Sequence, residues 1–112
     1  MDRGKAAEDA AADFLIGQGL RLVARNWRCK GGEIDLILRD GATLVFVEVR
    51  ARAGHRFGGA AASIDGRKQA RLLHAARCYL AELPAPPPCR FDALLFDAGQ
   101  QTWVKNAIDE TG

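Results

Sequence analysis

The amino-acid sequence predicts an α/β fold with the element order α-β-β-β-α-β-β, in which two helices flank a sheet of five strands. Two segments carry apolar residues at helical spacing, and five short segments are rich in branched and aromatic residues. The chain has 112 residues, of which 48 % are hydrophobic and 27 % charged, as in ordinary soluble globular proteins. We therefore expect a single compact domain over residues 1–112.

The first helix is predicted over Arg3–Gln18, where alanine, phenylalanine and leucine recur on one face. Asp2 can cap its start, and Gly17 or Gly19 can end it. A strand follows over residues 20–27, where alternation of side chains suits a half-buried position. A lysine and two glycines then break the chain.

The second and third strands are predicted over Glu33–Arg39 and Thr43–Ala51. They flank Asp40-Gly41, a dipeptide typical of tight β-hairpin turns. Residues 53–62 contain three glycines and are predicted to form a loop. These features indicate a β-hairpin followed by a loop.

The second helix is predicted over Gly66–Leu83, with Asp65 as its cap and a leucine-rich buried face. A proline-rich stretch at residues 84–88 ends this helix. Two final strands, Arg90–Asp97 and Thr102–Ile108, complete the predicted order.

Two acidic residues, Asp35 and Glu48, are predicted to lie on one face of the hairpin. A turn centred on Asp40-Gly41 makes them diagonal neighbours, about 7–8 Å apart at the backbone. Glu33 and Arg50 share that face because strand side chains alternate. Two carboxylates this close repel each other unless a cation lies between them, and oxygen ligands favour Mg²⁺ (or Mn²⁺). The pair is thus a candidate site for metal-dependent phosphodiester hydrolysis.

An ordinary hairpin produces the same alternation when its polar face meets solvent. In that interpretation Glu33, Asp35 and Glu48 are surface residues opposite an apolar core face. The residues alone leave both interpretations open, and a register slip of one residue would move every side chain to the other face.

The three cysteines, Cys29, Cys78 and Cys89, lack the even number of a disulfide framework and the spacing of a zinc knuckle. His74 and Cys78 are four residues apart on the predicted second helix, but two ligands do not make a zinc site. We therefore expect no metal centre there. No apolar run approaches the roughly 20 residues that cross a bilayer, and the first residues lack a secretory signal, so we expect a cytoplasmic protein.

Basic residues are concentrated in the middle of the chain, although the net charge is only +2. Arginine predominates, which favours bidentate contacts with phosphate; a GC-rich genome would enrich arginine as well. Four basic residues that follow the acidic pair are predicted to bind a nucleic-acid backbone, and the alternative for them is a solvated charged surface. These four are Arg52, Arg56, Lys68 and Arg71.

The hairpin segments GEIDLI at residues 32–37 and VFVEVRAR at residues 45–52 resemble the central signature of a known family. This is the YraN-like family of small bacterial proteins, which belongs to the PD-(D/E)XK nuclease superfamily. The resemblance extends over nearly the whole chain. It implies a restriction-endonuclease-like fold, with a mixed central β-sheet flanked by helices. The other matching positions are Gly4, Glu8, Ala11, Leu15, RNW at residues 25–27, Phe57-Gly58, Lys68 and RFD at residues 90–92.

The resemblance also implies roles for individual residues. Asp35 and Glu48 become metal ligands, Glu8 becomes a third acid from the first helix, and position 50 is where a catalytic lysine is expected. Arg50 stands there instead, and because arginine stays protonated it can stabilise charge but cannot accept a proton from water. Either the site is a degenerate nuclease, or Lys68 takes over the role of the lysine.

The function implied by the resemblance is that of an endonuclease-like protein that hydrolyses or binds DNA, in repair or recombination. Small members of the superfamily often dimerise, which implies a homodimer. Two alternatives remain open at this stage: a nucleic-acid-binding adaptor without catalysis, and a protein-interaction domain that retains the fold.

Overall fold

The computed structural model describes residues 3–52, 66–97 and 99–108, without the side chains of residues 3, 4 and 52. The predicted element order is confirmed, since the described chain contains two helices and five strands in that order. In chain order these are α1 (Arg3–Gly17), β1 (Arg21–Cys29), β2 (Gly32–Asp40), β3 (Thr43–Arg52), α2 (Gly66–Ala81), β4 (Cys89–Asp97) and β5 (Gln100–Val104).

Element ends agree with the prediction to within two residues, except in the last strand. β5 spans Gln100–Val104, whereas the predicted strand spanned Thr102–Ile108. The predicted caps Asp2 and Asp65, and the predicted loop at residues 53–62, lie outside the described residues. No helix in the described ranges combines the length and the apolar character needed to cross a membrane.

The five strands form one mixed sheet in the order β1-β2-β3-β4-β5. Neighbouring strands are antiparallel except β3 and β4, which are parallel. Parallel neighbours require a long crossover connection, and the segment that contains α2 provides it. The mixed central sheet flanked by helices is therefore confirmed.

The β2–β3 turn differs from the predicted one. Asp40 pairs with Thr43, so the two turn residues are Gly41 and Ala42. Gly41 has a φ of +61° and Ala42 is not left-handed, which is the requirement of a type II′ turn with glycine first. The register is shifted by two residues from the predicted one. Because side chains alternate with a period of two, the side chains of β3 stay on their predicted faces, whereas Ile34 of β2 packs on the face opposite to the predicted one.

The two helices cover opposite faces of the sheet and create two apolar layers. Val45, Val47 and Val49 of β3 pack with Leu15 of α1. Phe46 and its neighbours on the other face pack with α2. Glu48 has the same alternation as Phe46, so its side chain lies on the face covered by α2.

Asp92 on β4 is a fully buried acid whose carboxylate is hydrogen-bonded by neighbouring residues. It accepts hydrogen bonds from Arg90 Nε at 3.1 and 3.2 Å, from Trp103 Nε1 at 3.0 Å and from the Asn106 backbone at 3.1 Å. Arg90 also contacts Asp40 at 3.0 Å, which ties β4 to the hairpin tip. Both oxygens of Asp92 thus accept protein donors, as a buried carboxylate requires.

Gly32 marks the closest approach of β2 to α2. A Cβ atom added there would lie 2.4 Å from the carbonyl oxygen of Arg71 and 3.1 Å from the Cβ of Ala75. We expect Gly32→Ala to lower the free energy of unfolding by about 1–3 kcal/mol, because the helix backbone would have to move. Urea denaturation measures this loss. Gly17→Ala is the control, since nothing lies within 4 Å of its added Cβ; equal losses at both positions would contradict the prediction.

Candidate metal and nucleic-acid site

Strands β2 and β3 bring Asp35 and Glu48 into contact. Regular pairing of the two strands ends at Leu36 and Val47, one residue short of Asp35 and Glu48. Ile34 and Ile37 lie in the same apolar cluster, so the alternation of β2 is interrupted next to Asp35. Asp35 Oδ2 accepts a hydrogen bond from the Val49 backbone N–H at 2.8 Å. The carboxyl groups of Asp35 and Glu48 also share a hydrogen bond.

Burial raises the pKa of both carboxyl groups, Asp35 and Glu48. Glu48 is 7 % exposed, so its interpretation as a solvent-facing hairpin residue is wrong. Burial, followed by the negative charge of Asp35, raises the pKa of Glu48 to about 8, although Arg50 and Lys68 act in the opposite direction. Burial also raises the pKa of Asp35, against the Val49 hydrogen bond and the charge of Arg50. The pair therefore retains a proton near neutral pH.

Arg50 contributes the nearest positive charge. Its Nη2 lies 2.5 Å from Glu48 Oε1, and about a quarter of its side chain is exposed (26 %). Its Nε is buried and has no hydrogen-bond partner among the described residues. An unsatisfied buried donor is unfavourable for folding.

An open cleft of about 200 Å³ borders the carboxyl pair. The hairpin contributes Glu33, Glu48 and Arg50 to its walls, and the first turns of α2 contribute Lys68 and Arg71. The structure thus brings Glu48 together with three of the predicted basic residues, Arg50, Lys68 and Arg71. Asp35 is not part of the cleft wall but interacts with Glu48. Cationic walls lower the electrostatic barrier to a polyanion that approaches the acidic pair.

Other predicted residues are not part of this cluster. Glu8 lies half-buried on α1. The carboxylate oxygens of Glu8, Asp35 and Glu48 do not all lie within 4.8 Å of one another. Its role as a third acid stays a prediction. Arg56 and the side chain of Arg52 lie outside the described part of the chain.

One group of possible metal ligands was not predicted from the sequence. It consists of Cys29, His74 and Cys78, and it is the one such group in the described ranges. The helical spacing of His74 and Cys78 was the available signal. Cys29 comes from a distant part of the sequence, so only the tertiary structure reveals it as the third member.

Comparison with known proteins identifies close relatives. The family described as "Uncharacterised protein family UPF0102" matches residues 7–96. A UPF0102 protein of Janthinobacterium sp. (strain Marseille) is 58 % identical over 106 residues, covering 95 % of this chain and 86 % of that protein. A UPF0102 protein of Pseudomonas entomophila is 57 % identical over 113 residues, covering 95 % and 92 %. One of Nitrosomonas europaea is 51 % identical over 113 residues, covering 98 % and 96 %.

Proposed function

This chain belongs to the UPF0102 (YraN) family, in the PD-(D/E)XK-like nuclease superfamily, and from that premise we propose that its cleft is a Mg²⁺-dependent site for phosphodiester hydrolysis in DNA. The observation that carries the proposal is the pair of Asp35 and Glu48. Two buried acids in contact, both with raised pKa values, destabilise the fold unless another group compensates their charge. Perturbed acids beside a cleft are typical of functional sites.

Asp35 and Glu48 fit a divalent cation by charge and by chemistry. Their ligand atoms are carboxylate oxygens, which Mg²⁺ prefers. A pair that keeps a proton near neutral pH would exchange that proton for a cation, which compensates both carboxylates at once. When bound, Mg²⁺ supplies Lewis-acid stabilisation of phosphate charge and increases the acidity of water.

Arg50, Lys68 and Arg71 would bind the phosphates of DNA from the walls of the cleft. About a quarter of the Arg50 side chain is exposed, and a guanidinium group suits the oxygens of a phosphate. Lys68 lies close enough to Glu48 to lower its pKa, and unlike arginine a lysine amine can lose its proton. Lys68 is therefore our candidate for the proton-transfer group that Arg50 cannot be.

A second candidate function is DNA binding without cleavage. The ion pair between Arg50 and Glu48 favours it, because the guanidinium contacts a carboxylate oxygen at 2.5 Å that a cation would need. In that case the cationic walls would still bind phosphates, and the bound DNA would remain intact.

Titration with Mg²⁺ or Mn²⁺ tests the metal-dependent proposal. At a metal concentration of 100 Kd we expect the free energy of unfolding to rise by about 2.7 kcal/mol. The gain should be larger at about pH 9 than at about pH 6, because Glu48 must lose its proton to bind the cation. Thermal denaturation with and without metal measures it.

Asp35→Asn and Glu48→Gln should both abolish this gain. Glu82→Gln, at the exposed position that directly follows α2, is the control that should keep it. A wild-type protein that neither metal stabilises would contradict the proposal.

A further inference from the structure

Cys29, His74 and Cys78 form a second cluster of ligating side chains, apart from the carboxyl pair. Cys29 ends β1, while His74 and Cys78 lie four residues apart on α2 and so share one side of the helix. Cys78 Sγ lies 3.7 Å from His74 Nε2. The Cys29 and Cys78 thiols share a hydrogen bond, and the three ligand atoms all lie within 4.8 Å of one another.

The glycine turn after β1 holds Cys29 against the helix. Gly31 has a φ of +91°, and a Cβ there would lie 3.3 Å from the His74 ring. The Lys30 carbonyl oxygen is 2.9 Å from His74 Nε2. Trp27 and Tyr79 also meet edge to face, with their ring centroids 5.3 Å apart. Backbone packing and ring packing therefore fix the end of β1 on α2.

The distances suit a tetrahedral zinc ion. With Zn–S of about 2.3 Å and Zn–N of about 2.0–2.1 Å, a sulfur and a nitrogen ligand are about 3.6 Å apart and two sulfurs about 3.8 Å. The observed 3.7 Å between Cys78 Sγ and His74 Nε2 agrees with that value. Two thiolates and an imidazole are also the ligand types that select zinc over magnesium.

We infer that Cys29, His74 and Cys78 bind one Zn²⁺ ion. The ion would replace the hydrogen bond that His74 Nε2 makes with the Lys30 carbonyl. It would link β1 covalently to α2, the helix that carries Lys68 and Arg71, and so would fix that helix on the sheet. The inference rests on the thiols and the imidazole alone and does not depend on the proposed nuclease activity.

Three protein ligands leave a fourth position of the tetrahedron open. A cleft of about 330 Å³, with Cys29, Glu33 and Arg71 among its walls, gives solvent access to this side of the cluster. Glu33 and Arg71 also line the cleft beside the carboxyl pair. The zinc site would thus adjoin the proposed catalytic cleft without sharing its ligands.

Cobalt titration of the full chain, reduced and freed of metal, tests the inference. Co²⁺ bound to thiolate absorbs strongly in the near ultraviolet, whereas Co²⁺ on carboxylates does not. We expect this absorption to saturate at one equivalent and to disappear when Zn²⁺ is added. Cys29→Ser, Cys78→Ser and His74→Ala should each weaken metal binding by more than about 100-fold. Even the loss of a residue that only hydrogen-bonds to a metal ligand lowers metal affinity about 10–100-fold.

Cys89→Ser is the matched control, because Cys89 lies on β4 outside the cluster and its loss should leave the absorption unchanged. Glu48→Gln should also keep it, so failure of the zinc site and failure of the carboxylate site are distinguishable. His74→Ala removes an exposed side chain, and it tests the site even if a cysteine variant fails to fold. Absence of thiolate absorption in the wild type, or its persistence in both cluster cysteine variants, would overturn the inference.

Discussion

Replacing Lys68 with alanine is expected to reduce Mg²⁺-dependent DNA cleavage by about 10²–10⁴-fold, the usual contribution of a general acid or base. Lys68 lines the same cleft as Glu48 and lowers the pKa of Glu48, so its amine lies close to the carboxylate that we propose as a metal ligand. Cleavage of supercoiled plasmid and of labelled oligonucleotides, with and without Mg²⁺, measures the loss. Arg67→Ala is the matched control, since Arg67 is an exposed basic neighbour on α2 outside the walls of that cleft.

Arg50→Lys separates the two interpretations of the site. If Lys68 provides the proton-transfer group, a lysine at position 50 should change cleavage little, because the role is already filled. If the site is degenerate, Arg50→Lys should create or strongly increase cleavage, while Lys68→Ala should have no effect on it. The second pattern would contradict the role of Lys68 and would favour DNA binding without cleavage in the natural protein.

The sequence predicted the two faces of β3 correctly and the register of the hairpin incorrectly. Alternation alone decides which side of the sheet Glu48 occupies, and an error of two residues preserves it. The error came from the turn. Asp40-Gly41 is a common type I′ dipeptide, but Gly41-Ala42 also forms a turn because glycine at the first position satisfies type II′. As a result, the direct contact between Asp35 and Glu48 could not be predicted.

Two features of the structure depend on tertiary contacts and could not be predicted from the sequence. Burial of Glu48 depends on α2 crossing that face of the sheet, which strand alternation does not reveal. The cluster of Cys29 with His74 and Cys78 depends on the close approach at Gly32, where only a hydrogen atom fits between the chain and the Arg71 carbonyl. Spacing along one helix identifies two of these ligands, but the third comes from a strand that is distant in sequence.

The raised pKa values of the carboxyl pair make the stability of the protein depend on pH. The pKa of Glu48 is about 8 in the folded protein, against 4.5 as its ordinary value, so the folded state binds more protons than the unfolded state between these pH values. Stability is therefore greatest below about pH 4.5 for this group and is lost as the pH rises through about 8. The raised pKa of Asp35 acts in the same direction.

We expect the free energy of unfolding of the metal-free protein to fall by up to about 4 kcal/mol between about pH 5 and about pH 9, since each pKa unit corresponds to about 1.4 kcal/mol. Glu48→Gln keeps the neutral form of the side chain, so it should remove most of this dependence and should be more stable than the wild type at about pH 9. Urea denaturation across this pH range, without divalent metal, measures both effects.

Glu82→Gln is the control for this experiment, because Glu82 is exposed and is not among the charges that shift the pKa of Asp35 or Glu48, so its loss should leave the slope intact. Saturating Mg²⁺ should restore the stability of the wild type at about pH 9 and should leave Glu48→Gln unchanged, because the cation would take the place of the proton. A variant that gains stability while it loses metal binding would identify Glu48 as a residue retained for function at the expense of folding. A wild-type protein whose stability is flat across this range, or a Glu48→Gln variant with the same slope, would show that the pair ionises normally.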